Sequence, residues 1–212
     1  MLATAGPLPT GPQDFAFEVK WDGMRVIARL DGSGGLGLRS RNGNDAAGRY
    51  PELAELAALL PGRGAVLDGE VIATDEHGRP SFGALQERMP LKRPEAIAAA
   101  RRRRPVTLML FDVLWLDGRT LLAEPYRERR AVLESLRLEG ARVVTPPAWP
   151  GSAAVQAVDW TRAQGLEGWS PSACSPAICP APAPGTGSRS RTSGPPTRSS
   201  AAGSPATPAA WP

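Results

Sequence analysis

The stretch that most constrains the fold is Val106–Leu116, VTLMLFDVLWL. It is a near-continuous apolar run, closed by Pro105 before it and by the turn pair Asp117-Gly118 after it. Such a run reads as a strand buried in a sheet, and a buried strand needs paired neighbours. The neighbours are legible nearby. Phe15, Phe17 and Val19 alternate with Ala16, Glu18 and Lys20, which is the period of a strand over Phe15–Lys20. Met24–Leu30 is a second strand, closed by Asp31-Gly32, and Leu36–Arg41 a third, ending in the turn pair Asn42-Gly43. Ala65–Thr74 is a fourth, followed by a polar turn at Asp75–Pro80.

Helices separate these strands. Leu53, Leu56, Leu59 and Leu60 recur at three and four, so a helix is expected over Asp45–Leu60, stopped by Pro61-Gly62. Ser81–Met89 is expected as a short helix capped by Ser81. Pro94–Arg104, Tyr126–Leu138 and Ser152–Gln164 are the remaining helices, and a short strand starting at Val143-Val144 is ended by Pro146-Pro147. Strands and helices in mixed order imply an α+β domain with antiparallel sheets.

Composition sets outer limits. At 42% apolar residues the chain can bury a core, and with only 6% aromatics aliphatic side chains must fill it. No apolar run reaches membrane-spanning length, and no basic segment followed by an apolar core opens the chain, so a cytoplasmic location is expected. Cys174 and Cys179 have a spacing that fits no zinc or redox motif. The net charge of +4 is unevenly spread. Residues 169–212 hold Arg189, Arg191 and Arg198 but no acid, which leaves 22 basic and 21 acidic residues in the body. Net charge alone therefore makes no case for nucleic acid.

One residue type is conspicuous by rarity. Lys20 and Lys92 are the only lysines among 25 basic residues. Lys20 follows an apolar alternation and precedes the turn Asp22-Gly23, so it sits at a strand end, where a sheet meets a cleft. A lysine amine is nucleophilic only when neutral, and burial or nearby cations free its lone pair. The four residues of KWDG also suit a surface strand ending in a salt-bridged lysine, and further motifs decide between the two.

Those motifs are FAFEVKWDGMR at Phe15–Arg25, SRNGND at Ser40–Asp45, VLDGEVIA at Val66–Ala73, LFDVLWLDG at Leu110–Gly118 and GLEGW at Gly165–Trp169. In this order and spacing the series resembles the nucleotidyltransferase motifs of ATP-dependent DNA ligases. The likeness is strongest to the bacterial ligases of non-homologous end joining, includes the opening MLATAGPLP, and covers roughly residues 1–168. The resemblance implies an ATP-grasp-like adenylation domain built on antiparallel sheets. It implies that Lys20 attacks the α-phosphate of ATP to form lysyl–AMP. The adenylate then passes to DNA, and a 5′-phosphate is joined to a 3′-hydroxyl in nicked or broken duplex DNA.

The same resemblance assigns the other site residues. Glu18 lies near the adenine edge, where a carboxylate accepts an exocyclic N–H and would repel a guanine carbonyl. Asp22 and Gly23 shape the turn that aims Lys20. Arg25 and Arg41 are cofactor-binding residues whose nearby charge, with a metal ion, lowers the pKa of the Lys20 amine, and the Arg41 guanidinium suits phosphate and ribose oxygens. Glu70 faces the ribose or a metal-bound water. Phe111 stacks on adenine, although core packing is the commoner fate of a Phe in an apolar strand. Glu167 is a metal ligand through oxygen, with Mg or Mn as the ion. Arg101–Arg104 suit a phosphate backbone or, more commonly, a solvated helix end. End-joining proteins are the expected partners, and the nucleoid the expected place of work. An RNA ligase or capping-type nucleotidyltransferase, or a non-catalytic fragment that binds nucleotide or DNA, are the alternatives.

After Gly168 the pattern breaks. The family continues with further lysines and an oligonucleotide-binding barrel. Here residues 169–212 contain ten prolines and no Lys, Asp or Glu. That composition predicts a disordered tail, an incomplete adenylation domain over residues 1–168, and no OB-fold domain. A slip of one base at Gly168 would account for the break. With allowed third bases, the other frame can spell VVSKRLLASYLPGARSRDWIKVKNL, which resembles the missing motifs. A natural disordered tail is the alternative.

Overall fold

The computed structural model describes residues 15–153, 155–157, 159 and 169–173. Among them the strands are β1 (Phe15–Val19), β2 (Met24–Asp31), β3 (Leu36–Ser40), β4 (Gly64–Ala73), β5 (Val106–Leu116), β6 (Arg119–Thr120), β7 (Val143–Val144), β8 (Ala148–Pro150) and β9 (Trp169–Ala173). The α-helices are α1 (Glu55–Leu59), α2 (Phe82–Gln86), α3 (Pro94–Arg103) and α4 (Tyr126–Ser135). The larger sheet runs β3-β2-β4-β5-β6, with β7 paired to β5. The smaller sheet is β8-β1-β9. The α+β, antiparallel expectation holds with one exception, the parallel pairing of β7 with β5.

The apolar run of β5 lies beside β4 and pairs with it along most of its length. Leu108, Leu110 and Val113 of β5 are fully buried with Leu67 and Val71 of β4 and Val26 and Ala28 of β2. Successive side chains of a strand point to opposite faces. Asp68 and Glu70 of β4 therefore face away from that core, and the register sets Glu70 opposite Arg25 and Met109, and Asp68 opposite Ile27 and Asp112. One face of the sheet is oily and one carries charge.

The expected helix over Asp45–Leu60 is broken. Two 3-10 turns, Ala47–Arg49 and Pro51–Ala54, precede the short α1. Pro51 has no N–H to extend a helical ladder from the residues before it, so it starts a new turn instead. The apolar spacing still did its work, because Leu53, Leu56 and Leu60 are buried. Removing such a fully packed leucine side chain costs about 2–5 kcal/mol. The helix at Ser81 is shorter than expected, but its cap is as read: Ser81 Oγ accepts from the Ala84 N–H at 3.2 Å. The helix from Tyr126 ends at Ser135, not Leu138.

The smaller sheet corrects the expectation for the tail at its first residues. Trp169–Ala173 pairs antiparallel along the whole of β1, with Phe17 opposite Pro171. β9 is an edge strand, where a proline's missing N–H can face outward. The rest of the expected tail, and most of the helix expected over Ser152–Gln164, lie outside the described residues. No helix among the described residues is long and apolar enough to cross a membrane.

Candidate active site

Lys20 is the first residue after β1 and is exposed. The turn that follows is fastened on two sides. Asp22 Oδ2 accepts from the Phe82 N–H at the start of α2, at 3.3 Å. Gly23 presses against β4 so closely that a Cβ there would overlap the Val71 carbonyl and meet the Glu70 side chain at 2.9 Å. Only glycine fits, and its backbone amide lies where it opposes the rise that burial causes in the Glu70 carboxyl. The KxDG turn is thus held to the strand that carries Glu70.

Glu70 is mostly buried, and burial pushes its carboxyl up to about 7. The Arg25 charge and the Gly23 N–H oppose that rise, while the carboxylates of Asp68 and Asp22 add to it. A buried carboxyl near neutrality is a group that gains from a cation or a hydrogen-bond donor brought to it. Among the described residues no cluster of three or more His, Cys, Asp and Glu side chains could cage a metal by itself. One partly desolvated carboxylate suits a magnesium-type ion held mostly by water and substrate phosphates. Glu167, the other expected ligand, lies outside the described residues.

Arg25, the nearby cation expected to act on Lys20, is paired with a carboxylate of the neighbouring strand. Its Nε and Nη2 donate to the two oxygens of Asp68 at 3.0 and 2.6 Å. Asp68, by hydrogen bonding and charge, raises the arginine further above its ordinary value. The guanidinium also lies 5.5 Å from the centre of the Phe111 ring. Phe111 is partly exposed rather than sunk in the core, and is therefore available for contact. Its neighbour Asp112 is buried and accepts both Nε and Nη2 of Arg129, at 2.8 and 2.7 Å. Arg129 in turn donates to the Glu124 carbonyl at 2.6 Å, so the strand behind the Phe111 ring is tied to α4.

Glu18 stands on β1, two residues before Lys20. Arg130 of α4 approaches its Oε1 with Nη1 at 3.5 Å, in surroundings where both side chains are almost buried. Arg41 is exposed in the turn after β3, two strands away from Glu70. That turn is a tight one, with the Gly43 N–H donating to the Ser40 carbonyl and Gly43 at a φ of +77°. Arg101, Arg102 and Arg103 are exposed at the end of α3 and Arg104 pairs with Glu87 at 3.3 Å, as a solvated helix end would.

The structure therefore brings Glu70, Arg25 and Phe111 to one face of the larger sheet, with Lys20 three residues before the glycine that packs on that sheet and Glu18 on β1 of the smaller sheet. Asp68, Asp112, Arg129 and Arg130 were not singled out from sequence. The arginines carried a usable signal. Tyr126, Arg129, Arg130 and Leu133 recur at the spacing of an inward helix face, and all four are buried.

Comparison with known proteins gives the same direction. The family model described as the ATP dependent DNA ligase domain matches residues 7–168. The multifunctional non-homologous end joining protein LigD of Mycolicibacterium smegmatis is 43% identical over 169 residues, which are 79% of this chain and 20% of that protein. The corresponding DNA repair protein LigD of Mycobacterium tuberculosis is 39% identical over 169 residues, with the same coverage. Among solved structures, the ligase domain of M. tuberculosis LigD matches with a TM-score of 0.65 at 36% identity, over 78% of this chain and 50% of that one. A mycobacterial DNA ligase D complexed with ATP and MES matches at 0.64, also at 36% identity, over 79% of this chain and 51% of that one. The chain spans about a fifth of the length of these curated relatives.

Proposed function

This chain belongs to the ATP-dependent DNA ligase family, and on that premise we propose that Lys20 takes up adenylate from ATP for transfer to a DNA end. The observation that carries the reading is the fastening of the Lys20 turn to Glu70 through Gly23. It supports the reading because the segment that carries Lys20 packs against a strand whose face bears a near-neutral carboxyl and, on the next strand, a partly exposed aromatic ring.

The step is a substitution at phosphorus. The neutral Nζ of Lys20 forms a bond to the α-phosphorus, the bond to the pyrophosphate oxygen breaks, and the nitrogen gives up one proton. Phe111 offers a ring face to the adenine, held by Arg25 from one side and by the Asp112–Arg129 pair behind. Glu18 accepts the exocyclic amine of the base. With Nε and Nη2 taken by Asp68, Arg25 contributes positive field rather than a forked grip on phosphate. Arg41 meets ribose or phosphate oxygens from the turn after β3. Glu70 faces the ribose or a metal-bound water. A divalent Mg or Mn ion, with Glu70 and Glu167 as oxygen donors, would neutralise charge on the phosphates when bound.

The substrate of the whole reaction is nicked or broken duplex DNA, joined 5′-phosphate to 3′-hydroxyl. End-joining proteins are the partners that the relatives' names point to, and the nucleoid the place of work. One observation favours a second reading, a fragment that binds nucleotide without completing ligation: residues 169–212 contain no lysine. Incubation with α-labelled ATP and a divalent ion tests the first reading, since it requires covalent label on Lys20.

A further inference from the structure

α4 carries a buried arginine that the proposed chemistry does not use. Arg130 is anchored by two of its groups: Nη2 donates to the Pro146 carbonyl at 2.5 Å and Nε to Glu134 Oε1 at 2.7 Å. Its third contact is Nη1 to Glu18 Oε1 at 3.5 Å, with the side chains 8% and 12% exposed. One turn earlier on the same helix, the Tyr126 hydroxyl is buried beside the Glu18 carboxyl. Burial and the Glu18 carboxyl beside it push that hydroxyl far above its ordinary value, so it remains a donor.

We infer that Arg130 is a positioning residue for base selection: it fixes Oε1 of Glu18, and so sets the carboxylate's orientation toward the exocyclic amine of an adenine nucleotide. The inference rests on the reading of Glu18 as the group that meets the base. Its physical content is a matter of freedom. A glutamate on a strand has several rotamers, and a hydrogen bond to a base is worth most when the acceptor is already aimed. Arginine can serve here because its planar fork is held at two corners, by Pro146 and Glu134, before the third corner meets Glu18. It has donors only, so it selects the carboxylate form of its partner. A site whose carboxylate is aimed at an amine also rejects a base that presents a carbonyl in the same place, because two acceptors would then face each other.

The test is equilibrium binding of the full chain to ATP, GTP and purine riboside 5′-triphosphate, which lacks the exocyclic amine. The wild-type chain is expected to bind ATP about tenfold or more tightly than the purine analogue, the value of one hydrogen bond to a charged group. Arg130→Met is expected to bring that ratio near one while leaving affinity for the purine analogue little changed. Arg130→Lys, which keeps charge and length but not the fork, is expected to fall between, and it carries the test if Arg130→Met does not fold. A folded Arg130 variant with the wild-type ratio overturns the inference and leaves the adenylation reading standing. Failure of the wild-type chain to bind any of the three nucleotides overturns the adenylation reading itself. Equal loss of affinity for all three in the variants assigns Arg130 a merely structural role and also overturns the inference.

Discussion

Arg25 and Asp68 are joined by two parallel hydrogen bonds, Nε to Oδ1 at 3.0 Å and Nη2 to Oδ2 at 2.6 Å, across two adjacent strands. The pair is asymmetric. The Asp68 side chain is 8% exposed and that of Arg25 is 39% exposed. Arg25→Ala therefore leaves a carboxylate without its partner in a dry place, and is expected to cost about 3 kcal/mol. Asp68→Ala leaves a guanidinium that water can reach, and is expected to cost only about 1–2 kcal/mol. Urea unfolding of the two variants checks the order, and equal or reversed losses contradict it.

The Glu70 carboxyl gives a pH dependence with a definite sign. Its value rises from 4.5 to about 7 on folding, because burial penalises the charged form. The folded chain then binds a proton that the unfolded chain has released between those values, so stability falls as pH rises from about 4.5 to about 7 and stays lower above. The full effect is of the order of 3 kcal/mol. Glu70→Gln should flatten the profile and be the more stable protein at pH 8, with little difference at pH 4. A wild-type chain that gains stability over this range because of Glu70 would show that the site holds the carboxylate charged.

Much of the fold is legible in the sequence, and the exceptions have physical causes. The strands were readable because period-two alternation and turn pairs such as Asn42-Gly43 are local. Asp45–Leu60 was misread because its leucine spacing was genuine while Pro51 interrupts the hydrogen-bond ladder, which spacing does not record. The pairing of Arg25 with Asp68 is not legible in the sequence, because the two are 43 residues apart and meet only through the β2–β4 register. Arg130 sits within YRERRAVLES, where every arginine resembles a solvated one until the 126, 129, 130, 133 spacing is followed. β9 was missed because a proline-rich composition argues against a sheet, but an edge strand accommodates Pro171.

That edge strand yields a prediction of its own. A chain ending at Gly168 loses every backbone bond that β9 makes to β1, whereas a chain ending at Ala173 keeps them. The shorter chain is expected to be less stable by about 2 kcal/mol or more, at about 1 kcal/mol per hydrogen bond lost. Matching denaturation midpoints for the two would mean that β9 contributes nothing to the smaller sheet.

The break after Gly168 predicts a loss in nick sealing. Adenylyl transfer builds charge on phosphate oxygens, and losing one positioned cation costs roughly a hundredfold in rate. On the proposal that one base has slipped at Gly168, a chain translated with the shift restored carries lysines in that region. It is expected to seal a singly nicked duplex at least about a hundred times faster than the chain as written. Equal rates on the same duplex, with ATP and Mg or Mn, would remove any role for those lysines.

The most direct measurement is covalent labelling with α-labelled ATP and a divalent metal ion, followed by location of the labelled residue. Lys20 and Lys92 are the only lysines present, so the outcome is unambiguous. The account predicts acid-labile, alkali-stable label on Lys20, lost in Lys20→Ala and retained in Lys92→Ala. Label that survives Lys20→Ala, or a wild-type chain that takes up none, would contradict it.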